Sequence, residues 1–360
     1  MTNPTPLRTG WSPCHPVTLS PCHPTLHWLR RSIEACGGRG SSAYYSPIRG
    51  WASAYPETTG YLIETLFDSA HHFQEEQWRD LALQCADWLL GLQHPSGAFP
   101  GGVGEKGAPL VFDTGMILFG LERSWRETGE ERYLEAARRA AHWLLEVRDE
   151  QGVWSSHAYQ PGYIPAYHSY VVWAVIKTAI SLNKRELVDD LQPTIPHLLD
   201  LSQPGEYFAH SAFRPGEQAT THTIAYTLRG LLEVAALLND HSALQTACAI
   251  ADQLADNFKQ TGKIAGRYDA SGEGDYSFIC ITGHAQLSVA FLRLSQITGN
   301  ERYAYLAGSL YSAVKKAPSI IPLSGYQGGI AGSSPLWGAY QPWRYLNWAA
   351  KFYVDAALVS

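Results

Sequence analysis

The stretches ETGEERYLEAARRAAHWLLEV (127–147) and ITGNERYAYLAGSLYSAVKKA (297–317) open on one pattern, Thr-Gly-x-Glu-Arg-Tyr. Both run on as helices with apolar residues at three- and four-residue steps. A second pair, LQHPSGAFPGG (92–102) and VRDEQGVWSSH (147–157), starts 55 residues apart; each follows an amphipathic helix, turns at Gly97 or Gly152 and then presents an aromatic. Self-similarity at such a period means stacked helical units that bury their faces on one another.

Laid over the whole chain, the period predicts six helix pairs. One set is amphipathic and charged, at 26–36, 75–92, 131–148, 184–201, 241–259 and 301–316; a single apolar face places these helices on the outside. The other set is apolar on most faces, at 56–70, 112–126, 166–182, 222–238, 282–297 and 342–358, and is expected to be buried. Short turns lead from inner to outer helices. Long Gly-, Pro- and aromatic-rich loops (93–111, 149–165, 202–221, 260–281 and 317–341) lead back. Six inner and six outer helices in alternation make an all-α (α/α)6 toroid spanning residues 25–360.

The bulk numbers exclude several classes. A net charge of −6 with no long basic run argues against nucleic acid, and no run of eighteen apolar residues exists to span a membrane. PCHP recurs eight residues on in PCHPVTLSPCHPTL, around Cys14 and Cys22, in a spacing that fits no zinc pattern. Residues 1–24 are therefore expected to be a low-complexity, disordered lead-in. Cys36, Cys85, Cys248 and Cys280 are scattered and read as small core residues. No apolar h-region opens the chain, which predicts a cytoplasmic location. No motif calls for a metal or a cofactor.

With its alternating pairs over about residues 26–358, the chain resembles the six-hairpin toroids. That group includes unsaturated glucuronyl and rhamnogalacturonyl hydrolases, polysaccharide lyases and sugar 2-epimerases. VFDTGM at 111–116 is similar to the Asp-x-Gly-Phe element of the unsaturated glucuronyl hydrolases, which implies a catalytic role for Asp113. The chain departs from that group at the next repeat, where AYHSYVVW stands in place of a second Asp. QHPSGAF also echoes squalene-type terpene cyclases, but no Asp-x-Asp-Asp stretch occurs to protonate an alkene. A zinc toroid of the lanthionine-cyclase kind would need Cys-His-Gly, which is absent.

In a toroid the inner-helix N-termini converge at one end, where free N–H groups favour anionic ligands. The positions there are Glu57, Asp113, Tyr167 with His168, His222, His284, and Trp343 with Arg344. Taken singly, Asp113 and the threonines at 58 and 221 could be helix caps, the histidines core residues and Arg344 half of an ion pair. Together they suggest a lined cavity. Glu57 and Asp113, one repeat apart, suit hydrolysis of a glycosidic bond, with Asp113 as general acid/base, Glu57 as its partner and His222 assisting. The competing chemistry is proton abstraction beside a uronate by a lyase or C5-epimerase, for which His168, His222, Tyr226, His284, Gln286, Arg344 and Asn347 provide parts. A glycan-binding toroid without catalysis is a third reading. The aromatic loops add Trp154, Tyr207 and Arg214 as candidates to stack on sugar rings and hold a carboxylate. The expected partner is an anionic oligo- or polysaccharide.

Overall fold

A computed structural model describes residues 20–203 and 207–360, so Cys14 and most of the lead-in lie outside the described residues. Its helices are α1 (His23–Glu34), α2 (Pro56–Phe73), α3 (Glu76–Leu92), α4 (Val111–Thr128), α5 (Glu131–Glu146), α6 (Ser169–Leu182), α7 (Arg185–Asp189), α8 (Thr194–Asp200), α9 (Tyr207–His210), α10 (Thr221–Leu238), α11 (His241–Thr261), α12 (Ile281–Thr298), α13 (Glu301–Val314) and α14 (Asn347–Leu358). The inner ring is α2, α4, α6, α10, α12 and α14, each packed on the next, with α14 closing on α2. The remaining long helices form the outer layer. The fold is the all-α (α/α)6 toroid.

The recurring motifs now have physical causes. Inner helices end on a residue in the left-handed conformation: Gln74, Gly129, Asn183, Asn239 and Gly299. That conformation reverses the chain within one residue and suits Gly or Asn. The Arg-Tyr of each Thr-Gly-x-Glu-Arg-Tyr reaches back to the preceding outer helix. Tyr133 donates to Asp87 at 2.6 Å and Tyr303 to Asp252 at 2.8 Å, with Arg132 and Arg302 beside them. The motif is a latch between outer helices.

Glycines let the inner helices touch backbone to backbone. A Cβ on Gly120 of α4 would lie 2.3 Å from the Gly60 carbonyl oxygen of α2, and one on Gly60 would lie 2.5 Å from Ile117 Cα. Gly120→Ala is expected to cost about 1–3 kcal/mol, the usual penalty of overpacking a rigid contact. Urea unfolding measures it; an unmoved midpoint would mean that the two helices part freely.

Several expectations need correction. The fourth outer helix is not continuous over 184–201 but broken into α7 and α8, because Pro193 cannot continue a helix. The sixth inner helix starts at Asn347 rather than 342, since Tyr345–Leu346 pairs as a strand with Tyr44–Tyr45. Trp343 and Arg344 therefore sit on the loop before it. Helix α1 begins at His23, inside the segment assigned to the lead-in, and Cys22 and His23 are buried there. Short strands, none longer than three residues, pin the long loops over one end of the ring. The cysteines at 22, 36, 85, 248 and 280 are free thiols, and burial pushes Cys85 and Cys280 up to about 12, so both are unreactive. Among the described residues no helix is long and apolar enough to cross a membrane.

Candidate active site

At the N-terminal end of the inner ring lies a cavity of about 400 Å³. Inner-helix starts and five loops wall it. Glu57, Thr58 and Tyr61 come from α2, Phe112 from α4, His222 and Tyr226 from α10, and Trp348 from α14. Tyr44, Tyr55, Val103, Tyr159, Phe213, Arg214, Glu217, Tyr340, Gln341 and Arg344 complete the wall from the loops. Of the residues expected from sequence, Glu57, His222, Tyr226, Arg214 and Arg344 line it directly.

Neither carboxylate caps its helix. Asp113, fully buried, accepts from Gly102 N–H through Oδ2 at 2.6 Å and from the Tyr159 hydroxyl through Oδ1 at 2.8 Å. The hydroxyls of Tyr55, Tyr159 and Tyr61 reach the Glu57 carboxyl. Burial pushes Asp113 up to about 6, even though Gly102 and Tyr159 favour its charge. Burial, and then the charge of Asp113, hold Glu57 well above the usual carboxylate range. Two acids in one site cannot both ionise readily, so their titrations belong to the pair.

His222 does not cap α10 either; Thr220 does, accepting from Thr223 N–H. The imidazole Nδ1 lies 2.7 Å from Gln286 Oε1, an acceptor, so Nδ1 carries the hydrogen and Nε2 keeps its lone pair. Burial lowers His222 to about 4, so the ring is neutral near pH 7. Its centroid is 4.5 Å from that of Tyr226 and 5.5 Å from that of Tyr340.

Arg344 is the cation of interest. Its guanidinium stacks 4.4 Å above Tyr44 and donates to the neutral Gln341 side chain at 2.7 Å. Among the described residues it has no carboxylate partner, whereas Arg214, also on the wall, pairs with Glu217 at 3.3 Å. Such an aromatic-backed guanidinium, without a carboxylate partner among the described residues, is chemically suited to take one.

Other sequence candidates lie elsewhere. Trp154 is fully buried and donates to the Leu144 carbonyl, a core role. Asn347 donates to Ser41 and Thr58, tying α14 to α2. His168 packs edge-on to Trp154, lowered by burial to about 3; Tyr167 packs on Phe112 and Phe213. His284 pairs Nδ1 with the Cys280 carbonyl and is not on the cavity wall. Gln286 stands behind His222. Trp343 is half-exposed outside the rim, its ring 6.2 Å from exposed Trp337. The Tyr207 side chain lies outside the described residues. Sequence reasoning missed Tyr55, Tyr61, Tyr340 and Trp348; each sits on an aromatic-rich segment beside a helix start, a signal the chain repeats too often to single them out.

A larger cavity of about 540 Å³ opens at the opposite end of the ring. Its charges are already matched in pairs such as Lys351–Asp355 and Arg229–Glu233, and Asp68, which burial raises, is paired with Arg123 at 2.8 Å. The Glu57 end is therefore the better candidate. Among the described residues no cluster of three or more His, Cys, Asp or Glu could hold a metal ion.

No known protein family and no curated protein matches the chain at the level of sequence. Solved structures do match in shape. An unsaturated glucuronyl hydrolase specific for heparin aligns with TM-score 0.74 at 15% identity, over 94% of this chain and 95% of that one. A second unsaturated glucuronyl hydrolase, from a Bacillus species, aligns with TM-score 0.73 at 15% identity, over 94% and 95% of the two chains. Cellobiose 2-epimerase from Bacillus thermoamylovorans aligns with TM-score 0.66 at 14% identity, over 93% and 99%. The likeness is one of fold and spans nearly the whole of each molecule: the chain has the six-hairpin (α/α)6 toroid architecture that these hydrolases and epimerases share.

Proposed function

We propose that the protein is a carbohydrate-active enzyme that cleaves a uronic-acid-bearing oligosaccharide by carboxylate acid/base chemistry. One observation carries this reading: a buried carboxyl pair, with Glu57 on the wall and Asp113 behind it, adjoins a cavity that also holds a guanidinium without a carboxylate partner among the described residues. Arg344 takes the uronate carboxylate. Glu57, protonated and facing the cavity, delivers a proton, to the glycosidic oxygen or, as in the unsaturated glucuronyl hydrolases of the same fold, to a ring double bond. Asp113, behind it, is the ionised partner. The sequence reading gave the first of these roles to Asp113; placement on the cavity wall favours Glu57, and the two work as one pair. His222, neutral, accepts from a substrate hydroxyl or from the attacking water.

A second reading rests on His222. Its free Nε2 beside Tyr226 could abstract a carbon-bound proton, the step an epimerase or lyase needs. Products separate the classes. Incubation with a Δ4,5-unsaturated uronyl disaccharide should bleach its ultraviolet absorbance if the main reading holds. A saturated polyuronate that gains such absorbance would indicate a lyase, and solvent deuterium at carbon without any absorbance change an epimerase.

Trp337 and Trp343, exposed together beyond Gln341 and Arg344, would extend the site to a further sugar ring. Trp337→Ala and Trp343→Ala are each expected to weaken binding of a uronate trisaccharide severalfold, the worth of about 0.5–1.5 kcal/mol for an aromatic contact. Calorimetry measures it. A lowered melting temperature with undiminished affinity would make these rings packing residues.

A further inference from the structure

The two cavities of the ring lie back to back. Tyr61, His222 and Tyr226 wall the first, and Tyr170, Gln286 and Phe352 wall the larger one at the opposite end. These side chains pack on one another. The Phe352 ring centroid lies 5.4 Å from that of Tyr61, 5.9 Å from Tyr226 and 6.2 Å from His222, and Tyr170 lies 4.9 Å from Tyr226. A single layer of side chains therefore divides the axis of the toroid.

Gln286 is a polar bridge in that layer, and its amide is used at one end only. Oε1 takes the His222 Nδ1 hydrogen at 2.7 Å. Nε2 has two hydrogens to give and no partner among the described residues, although Gln286 is only 6% exposed. The residue lines the far cavity and not the near one. An acceptor held in the far cavity would complete the amide.

The rest of the far wall selects the class of that acceptor. Its cations are matched, Lys351 with Asp355 at 2.5 Å and Arg229 with Glu233 at 2.8 Å. Its carboxylates at Asp68 and Glu64 are held by Arg123 at 2.8 Å and by Lys177. An ionic ligand would have to displace one of these partners and leave its charge unpaired. A hydroxyl need not: it accepts from a spare ammonium or guanidinium hydrogen and donates to a spare carboxylate lone pair. Trp173, with Arg229 5.3 Å from its ring centroid, adds an apolar wall. The cavity, about 540 Å³, is of ordinary small-molecule size.

We propose that the far cavity is a second site, for a small neutral polyhydroxyl ligand of mono- or disaccharide size, and that Gln286 carries its presence to His222. A ligand hydroxyl that accepts from Nε2–H polarises the amide, and Oε1 then becomes a better acceptor for the Nδ1 hydrogen of His222. No covalent bond is made or broken. Gln286 is a positioning residue, since it acts through His222. Binding at the far cavity stands apart from the function proposed above; only its effect on turnover rests on that reading.

Nuclear magnetic resonance of the full chain, with nitrogen-15 in the histidine rings and tryptophan indoles, tests both parts. Trp173 lines the far cavity and Trp348 the near one, so their indole signals separate the sites. Trp173→Phe, Trp348→Phe and His222→Gln assign the signals. The probes are glucose, maltose and myo-inositol, with glucuronate and ethylamine as charged comparisons. At least one neutral probe should shift Trp173 and His222 with a common midpoint and spare Trp348. Asp68→Ala, at the half-exposed rim, should weaken that binding about two- to tenfold, the usual worth of one hydrogen bond. In Gln286→Met, which keeps the length of the side chain, Trp173 should still respond and His222 should not. No shift of Trp173 by any neutral probe, or a stronger response of Trp173 to either ion, would overturn the site. A His222 response that survives in Gln286→Met would overturn the coupling. A Trp173 response in a protein that turns over no uronide would defeat the functional reading alone, and uronide turnover without that response would defeat the second site alone.

Discussion

Asp113→Asn is expected to lower turnover of an unsaturated or saturated uronide by roughly 10²–10⁴-fold, the worth of a positioned acid or base. Asparagine keeps the size of the side chain and can still accept from Gly102 N–H, so the loss would reflect proton handling rather than packing. Glu57→Gln should cost no less, because the pair shares one function. The pH profile carries a second signature. The proposed roles need Asp113 ionised and Glu57 protonated, so activity should climb as pH rises through about 6, where burial has placed Asp113. It should fall again at the higher pH where Glu57 loses its proton. Steady-state rates across pH, with a melting curve for each variant, provide the measurement. Full activity in Asp113→Asn, together with its abolition in His222→Ala or Tyr226→Phe, would transfer the chemistry to the histidine and support the lyase or epimerase reading.

Lys177→Met is expected to destabilise the fold by about 1–3 kcal/mol, the cost of leaving a partly buried carboxylate without its close partner. Lys177, on α6, sits between Glu64 of α2 and Glu122 of α4, the latter at 3.3 Å. Glu122 also pairs with Arg126 at 2.6 Å, whereas Glu64 depends on Lys177 for its close contact. Burial pushes the Glu64 carboxyl up, but Lys177, helped by Lys351 and Arg123, outweighs this and holds it below the ordinary carboxylate range. A carboxyl depressed by folding contributes stability above its unfolded value, and that contribution is lost as pH falls through the folded value. The variant should show the opposite trend. Without Lys177 the carboxyl prefers its proton, so the stability gap to wild type should narrow from about pH 7 to about pH 5. Urea unfolding at the two pH values tests it. An equal gap at both would mean that Lys177 contributes packing through its alkyl stem and not charge.

The toroid was legible because it is a repeat. Each unit must bury one amphipathic and one all-apolar helix, and that demand writes the same pattern along the chain from about 26 to 358. The Thr-Gly-x-Glu-Arg-Tyr segments were readable for the same reason: the turn and the latch to the previous outer helix are needed in more than one unit. The break at Pro193 was not read, because the apolar period runs on through it over 184–201. The candidate site was legible in part. Glu57, His222 and Arg344 could be named because polar residues at the starts of buried helices stand out against an apolar background. His168 was named by the same logic and turned inward, because a helix start has faces that look to the core as well as to the axis; Trp154, named as an aromatic of a long loop, fills the core instead.

What the sequence by itself determined was therefore periodic: the number of units, which helix of each pair is buried, and the end of the ring at which polar groups gather. What only the tertiary structure decided was convergence across units. That Tyr55 and Tyr159, which stand 104 residues apart, share a hydrogen bond, that Tyr159 donates to Asp113, and that Arg344 stacks on Tyr44 are facts about side chains from different repeats. No local pattern encodes them, because the curvature of the ring and the path of the irregular loops set which side chains meet, and both arise only when all six units close.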